Sequence, residues 1–149
     1  MNRIVKLALI LVAVLIFGFL LIQLIPVQRT NPPVVTQIKW DSPQTQALWQ
    51  RACADCHSNE TIWPWYSYVA PASWLVSFDV VRGRRELNIS ELNTSSSRFA
   101  SFGNRLVRAV QEGEMPPVQY LIMHPNAHLT AQESQQLING LQATFANQP

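Results

Sequence analysis

Cys53-Ala54-Asp55-Cys56-His57 is the stretch around which the 149-residue chain is organised. In this C-x-x-C-H order, two thiols can add across the vinyl groups of a haem, and the adjacent imidazole can bind its iron. If residues 42–57 run helically, Cys53, Cys56 and His57 share one face and meet a flat macrocycle from the same side. The motif therefore predicts covalently attached haem c, with Cys53 and Cys56 bonded to it and His57 as the proximal iron ligand.

Two other chemistries use the same residue types. A C-x-x-C pair can be a redox dithiol, although such pairs usually sit at a strand-to-helix turn and the sequence has no β-α-β pattern. The motif could also supply three of four zinc ligands, with His124 or His128 as the fourth. Zinc sites more often carry a second C-x-x-C or an H-x-x-x-H pair, and the two histidines have that last spacing. Both alternatives stay open beside the haem interpretation.

The N-terminal segment is strongly apolar. Residues 4–22 contain no charged side chain except Lys6. The length of this segment is close to the roughly 20 residues needed to cross about 30 Å of hydrocarbon. Arg3 and Lys6 precede the apolar core, which favours a cytoplasmic N-terminus. A cleaved signal peptide is the alternative, but residues 23–28 offer no small-x-small cleavage site. We expect an anchor over residues 1–25 in the bacterial inner membrane, with the rest of the chain in the periplasm.

Composition divides the chain beyond the anchor into two parts. Four prolines fall within residues 26–43, which predicts an extended linker. All nine acidic residues lie at Asp41 or later, where only seven arginines and no lysine accompany them. This balance argues against nucleic acid as a partner, because nucleic-acid binding needs a basic face. Residues 44–149 are long enough for one modest core.

Helical signals dominate residues 44–149, and no segment shows convincing strand alternation. Ser42 is a good N-cap with Pro43 at the first helical position, and Thr130 to Glu133 fits a capping box. Gly113 is placed to stop a helix. The predicted helices cover 42–53, 71–85, 96–112 and a closing helix from Thr130. The fold class predicted is all-α, a small cytochrome c-like domain around one haem.

The second site signal is Glu114-Met115-Pro116-Pro117. Proline after Met115 biases this residue toward an extended backbone, which suits a thioether aimed at one place. Met115 is the favoured distal iron ligand, His124 is its rival, and Met123 and His128 are weaker candidates. Met115 as a gap-filling core residue and a five-coordinate iron are the other interpretations that stay open.

Aromatic and basic residues supply weaker signals. Trp63, Trp65 and Tyr66 follow the haem motif closely, and they are candidate haem contacts or ordinary core residues. Arg82, Arg84 and Arg85 form a basic run. An arginine there could pair with a haem propionate or an acidic partner, but a solvated helix end is the simpler interpretation.

The order of helix, C-x-x-C-H, long loop region, M-P-P and closing helix resembles the class I cytochromes c. Trp49 occupies the place where that class carries an aromatic residue, and Thr45 stands where it often carries glycine. The chain is also similar to the bacterial haem-binding domain family over its whole soluble part. The matching blocks are Cys53 to Thr61, Trp63 to Tyr66, Ala70 to Leu75, Glu114 to Pro117 and Tyr120 to His128. The resemblance implies haem binding and names no reaction.

The sequence thus predicts a membrane-anchored, periplasmic mono-haem protein that transfers single electrons to a redox partner it does not identify. The alternative is a haem-based redox or gas sensor, or an accessory subunit, with an open or exchangeable distal site. An enzyme such as a peroxidase is less favoured, because no distal acid–base pair is evident.

Overall fold

The computed structural model describes residues 2–93 and 99–146, and helices are its regular secondary structure there. Its α-helices are α1 (Arg3–Ile22), α2 (Pro43–Ala52), α3 (Ala54–His57), α4 (Ala72–Glu86), α5 (Phe99–Gln111), α6 (Val118–Met123) and α7 (Ala131–Ala146). Short 3₁₀ helices cover Trp65–Tyr68, Ile89–Glu91 and Pro125–Ala127. These described residues contain no strand. The all-α prediction is confirmed.

Helix starts lie where the sequence predicts caps. The Ser42 hydroxyl accepts the Thr45 backbone N–H at 3.2 Å, and α2 begins at Pro43. At the start of α7, the Glu133 N–H donates to Thr130 Oγ1 at 3.2 Å, and the Thr130 N–H donates to Glu133 Oε2 at 2.8 Å. These reciprocal bonds form the predicted capping box, because each side chain satisfies one unpaired N–H of the first helical turn.

Two features differ from the predicted helices. The helix through the haem motif is interrupted at Cys53, whose φ of −132° ends α2 before α3 begins. No proline or glycine marks this break, so the sequence did not reveal it. Helix α6 was not predicted, because its six residues are too few for a helical period to be recognised. Helix α5 follows the predicted 96–112 segment from Phe99, and residues 96–98 lie outside the described residues.

The chain divides into two compact units, and the first contains the residues up to Arg29 together with Trp63–Asp79. Helix α1 is long and apolar enough to cross a membrane, by length and composition, with a mean hydropathy of 3.0. None of its residues is buried.

The second unit contains Thr30–Ile62 and the residues from Val80 onward. Its core lies between α2, α5 and α7, and it includes Trp49, Phe99 and Phe145; the last two rings stack at 4.7 Å. A side chain on Gly140 of α7 would overlap Thr45 of α2, so only glycine allows these helices to cross this closely. The small residue at this crossing is therefore Gly140 of α7, and it lies opposite Thr45 of α2.

The segment before α2 is extended, as predicted, but it also packs within the second unit. The N–H groups of Val35 and Thr36 each donate to the Ser90 carbonyl at 2.9 Å. Trp40 lies against Trp49, with ring centroids 5.7 Å apart. The sequence predicted none of these contacts. The division into residues 1–25, 26–43 and 44–149 stays a prediction.

Candidate functional site

The haem motif forms a single tight turn. The N–H groups of Cys56 and His57 both donate to the Cys53 carbonyl, at 3.2 and 3.0 Å. The two cysteines are thiols rather than a disulfide, and both are partly exposed. The local helical turn that the sequence required is therefore present from Cys53 to His57, although α2 has already ended.

Helix α4 closes tightly over this turn. A Cβ atom on Gly83 would overlap the backbone carbonyl oxygen of Cys56 and lie 2.9 Å from its Cβ. The neighbouring atom is backbone and cannot move aside, so this contact needs glycine. No local pattern pointed to Gly83, because the contact joins positions far apart along the chain.

The His57 ring is held in one orientation. Its Nδ1 lies 3.1 Å from the Leu87 carbonyl oxygen. A carbonyl can only accept, so Nδ1 carries the proton and Nε2 keeps its lone pair. Burial lowers the pKa of His57, which favours the neutral imidazole. Both effects prepare Nε2 as a metal ligand, with the carbonyl as the usual outer partner of such a histidine.

One pocket brings the predicted proximal and distal ligands together. It encloses about 190 Å³. Its lining is His57, Glu86, Leu87, Phe102, Arg105, Leu106, Ala109 and Met115. The Arg105 guanidinium lies 4.8 Å from the centre of the Phe102 ring. The site thus combines an imidazole and a thioether in a largely apolar lining, with one arginine and one carboxylate at its edge.

The Met115 loop folds back onto α5. That helix ends at Gln111, and Gly113, at φ 70°, provides the predicted stop. The N–H groups of Glu114 and Met115 both donate to the Ala109 carbonyl, at 2.9 and 3.2 Å. Backbone bonds therefore fix where Met115 leaves the helix, while 37% of the residue stays exposed.

His124, the rival distal ligand, is not among the residues that line this pocket. Its ring stacks on Tyr120 at 4.0 Å, and its Nδ1 lies 3.1 Å from the Tyr120 carbonyl. The Tyr120 hydroxyl donates to Asp55 Oδ2 at 2.8 Å. Burial, and then this bond, raise the pKa of Tyr120 and keep it protonated. Tyr120 therefore ties α6 to the middle of the haem motif.

A buried polar network follows the motif, and Asn59 is its centre. The Asn59 Oδ1 accepts Asn88 Nδ2 at 2.8 Å, and its Nδ2 donates to Glu91 Oε1 at 2.9 Å and the Pro33 carbonyl at 3.0 Å. Its backbone N–H donates to Ser90 Oγ at 2.9 Å. Asn59 therefore holds the chain leaving His57 against the Ile89–Glu91 turn.

Arg84 is a second anchor of the same loop. Its guanidinium donates to the carbonyls of Ser58 and Thr30, at 2.8 and 2.6 Å. It also donates to Thr61 Oγ1 and Asn31 Oδ1, at 2.8 and 3.0 Å. A solvated helix end is the wrong interpretation for Arg84, because these four bonds join α4, the extended segment and the loop after His57.

The aromatic residues predicted as haem contacts belong to the first unit. Trp65 and Tyr66 pack edge to face, with ring centroids 5.8 Å apart. Trp65 is largely exposed. Trp63 belongs to the same unit, and contact of all three residues with haem stays a prediction.

Neither alternative chemistry gains support from the geometry. Across residues 2–93 and 99–146, no group of three or more His, Cys, Asp and Glu side chains is placed to hold a metal ion. Burial, and then the neighbouring Cys56, raise the pKa of the Cys53 thiol to about 12. Reactive dithiols show the opposite shift. By contrast, a soft thioether and a neutral imidazole in one pocket fit the donor set of a haem site, and the two thiols lie in the same turn as the imidazole although neither lines the pocket.

Comparison with known proteins gives one match. The model of a family described as haem-binding domain matches residues 17–143, most of the chain. No curated protein and no solved structure gives a significant match.

Proposed function

The chain belongs to the haem-binding domain family and binds haem, and we propose that it holds one haem c and carries single electrons. In this proposal Cys53 and Cys56 form the thioether bonds, His57 is the proximal ligand and Met115 is the distal one. The protein is a carrier, so it passes electrons between redox partners and converts no substrate.

The observation that carries the proposal is the shared pocket of His57 and Met115. When bound, haem supplies a one-electron iron couple, and a His/Met ligand pair raises its potential. The Leu87 carbonyl fixes the imidazole, and the Ala109 carbonyl fixes the backbone that presents the thioether. Leu87, Phe102 and Leu106 contribute apolar side chains to the pocket lining.

The proposal places the protein at the periplasmic face of a bacterial inner membrane, anchored by α1. The length and composition of α1 support a single span, and Arg3 and Lys6 at its start support a cytoplasmic N-terminus. Covalent haem attachment at C-x-x-C-H is expected on the periplasmic side, so the motif and the anchor agree.

Covalent attachment is tested first, on full-length protein made in cells with a cytochrome c maturation system. We expect haem to remain with the chain on a denaturing gel and to be lost in a Cys53→Ala, Cys56→Ala double variant. The companion control is His57→Ala, at a partly buried position. This variant removes the proposed iron ligand and leaves both thiols in place. Haem that leaves the wild-type chain on denaturation would contradict the proposed thioether bonds.

Electron transfer is tested by redox titration of the same protein, followed by absorption. We expect one reversible one-electron couple. The absence of any reversible couple in protein that retains haem would exclude the carrier function and leave haem binding intact.

The second candidate function is a haem-based sensor or accessory subunit, and the exposure of Met115 favours it. A ligand on an open loop can give way to a diatomic gas. Rapid carbon monoxide binding to the reduced wild-type protein would support this function, whereas resistance to carbon monoxide would support the carrier.

A further inference from the structure

The first unit carries a group of exposed apolar side chains outside α1. Trp65, Tyr68, Leu75 and Phe78 are each between 50% and 75% exposed. Leu75 and Phe78 are three positions apart on α4 and therefore share one of its faces. A concentration of exposed large apolar residues in one short segment is typical of an interaction surface.

The structure places this segment at the end of α1. Gln23, the first residue after the helix, accepts the Ala70 N–H at 2.8 Å through Oε1 and donates to the Ala70 carbonyl at 3.3 Å through Nε2. The Gln23 side chain thus binds both the backbone N–H and the backbone carbonyl of Ala70. Ala70 lies between the two pairs of exposed residues, so the pairing holds both pairs near the helix end.

Further bonds hold the segment along the chain that leaves α1. Arg29 Nη1 donates to the Ser67 carbonyl at 3.1 Å, and the Arg29 guanidinium lies 4.6 Å from the centre of the Tyr68 ring. The Ser77 hydroxyl donates to the Gln28 carbonyl at 2.8 Å. Residues 23, 28 and 29 therefore each bind the segment that carries the exposed side chains.

The depth of this segment follows from the length of α1. Twenty residues at about 1.5 Å each span about 30 Å, the thickness of the hydrocarbon core. With α1 across the membrane, Gln23 lies at the boundary between hydrocarbon and headgroups. Tryptophan and tyrosine are enriched at that boundary, because their rings combine an apolar body with a polar group.

We propose that Trp65, Tyr68, Leu75 and Phe78 form a membrane-contacting surface that lies in the headgroup region beside α1. This inference rests on the anchoring described under Proposed function. The occupant is lipid, because the bonds to Gln23, Gln28 and Arg29 hold the surface at the end of the apolar span. In this proposal Trp65 contacts lipid.

The test is photocrosslinking of the full chain in phosphatidylcholine vesicles. The photoreactive residue p-benzoylphenylalanine replaces Trp65, Tyr68, Leu75 or Phe78, one at a time. Leu15 of α1 is the positive control for membrane insertion. Ile122 of the second unit is the matched control, because it is apolar and 72% exposed. Lipid adducts are counted by mass spectrometry, and circular dichroism confirms that each variant is helical.

We expect adducts at position 15 and at the four test positions, with several-fold fewer at position 122. Adducts at position 15 alone would overturn the surface and leave the anchor standing. Equal adducts at position 122 would also overturn it, since contact would then not be selective. No adduct at position 15 would overturn the proposed anchoring, and the surface with it.

Discussion

Arg84 and Arg85 are neighbours in α4 with very different surroundings. Arg84 makes four hydrogen bonds around the loop after His57, whereas Arg85 is exposed. Burial lowers the pKa of Arg84, but each of its bonds favours the charged guanidinium. A basic run in sequence therefore contains one residue that stabilises the haem loop and others that lie on the surface.

Replacing Arg84 by glutamine should destabilise the fold. We expect Arg84→Gln to lower the free energy of unfolding by about 2 kcal/mol, because four acceptors, two of them in part-buried bonds, lose a charge-assisted donor. The matched variant Arg85→Gln should change it by no more than about 0.5 kcal/mol. Chemical denaturation followed by circular dichroism measures both. Equal losses in the two variants would mean that the bonds of Arg84 add no net stability.

Met115 can be tested by a substitution that keeps its size. We expect Met115→Leu to lower the reduction potential and to let carbon monoxide bind the reduced protein rapidly, because the sulfur ligand is lost. Met123→Leu is the matched control, since Met123 is exposed and lies outside the pocket lining. If His124→Ala gives these changes and Met115→Leu does not, His124 is the distal ligand.

At the scale of helices, the sequence predicted the capped helix starts but did not predict the contacts between distant residues. Ser42 and Thr130 cap their helices through residues three positions away, so a local pattern reveals them. The close contacts of Gly140 with Thr45 and of Gly83 with Cys56 join residues far apart in sequence. A single sequence carries no signal for them. The shared pocket of His57 and Met115 is different, because the C-x-x-C-H and M-P-P motifs had already indicated that both residues face one haem.

The crossing of α2 and α7 should be sensitive to one methyl group. Alanine at position 140 would gain about 1 kcal/mol from helix propensity if space were open. We expect Gly140→Ala instead to lower the free energy of unfolding by about 1–3 kcal/mol, because its Cβ overlaps Thr45. Gln136→Ala, on the exposed face of the same helix, should have little effect. A stabilised Gly140→Ala variant would show that the helices separate at little cost.

The start of α7 should make stability depend on pH. The Thr130 N–H, then Arg51, then the Thr130 hydroxyl donate to Glu133 and lower its pKa from 4.5 to about 2. Arg51 of α2 lies 2.7 Å from the carboxylate. A carboxyl with a lowered pKa stabilises the fold above its unfolded pKa, and this contribution is lost as the pH falls through the folded value.

We therefore expect Glu133→Gln to be less stable than wild type near neutral pH. The difference should shrink as the pH falls below 4.5 and vanish near pH 2. Denaturation at a series of pH values measures it, with the exposed Glu112→Gln as control. A difference that does not change with pH would assign the effect to packing and exclude the carboxylate charge as its cause.

At the scale of the whole chain, the segment between α1 and α2 belongs to the second unit from Thr30 onward. Asn31 Nδ2 donates to the Thr61 carbonyl at 2.9 Å, and the Thr36 hydroxyl donates to the Leu92 carbonyl at 2.7 Å. Proline content predicted the extended backbone, because proline disfavours helix interiors. It did not predict that the segment packs beside the loop after His57.

Hydrogen exchange can distinguish a packed segment from a free spacer. Val34 and Val35 are identical neighbours, and Val35 is the more exposed residue. Of these two amides, the one that donates to the Ser90 carbonyl is that of Val35. A local opening that costs about 1.4 kcal/mol slows amide exchange about tenfold. We therefore expect the amides of Val35 and Thr36 to exchange at least about tenfold more slowly than that of Val34. Asn88→Ala should speed up both, because the Asn88 side chain accepts the Ser90 N–H and holds the turn. Equal exchange at Val34 and Val35 in the full-length protein would mean that the segment moves freely and that the packed part of the second unit begins only at α2.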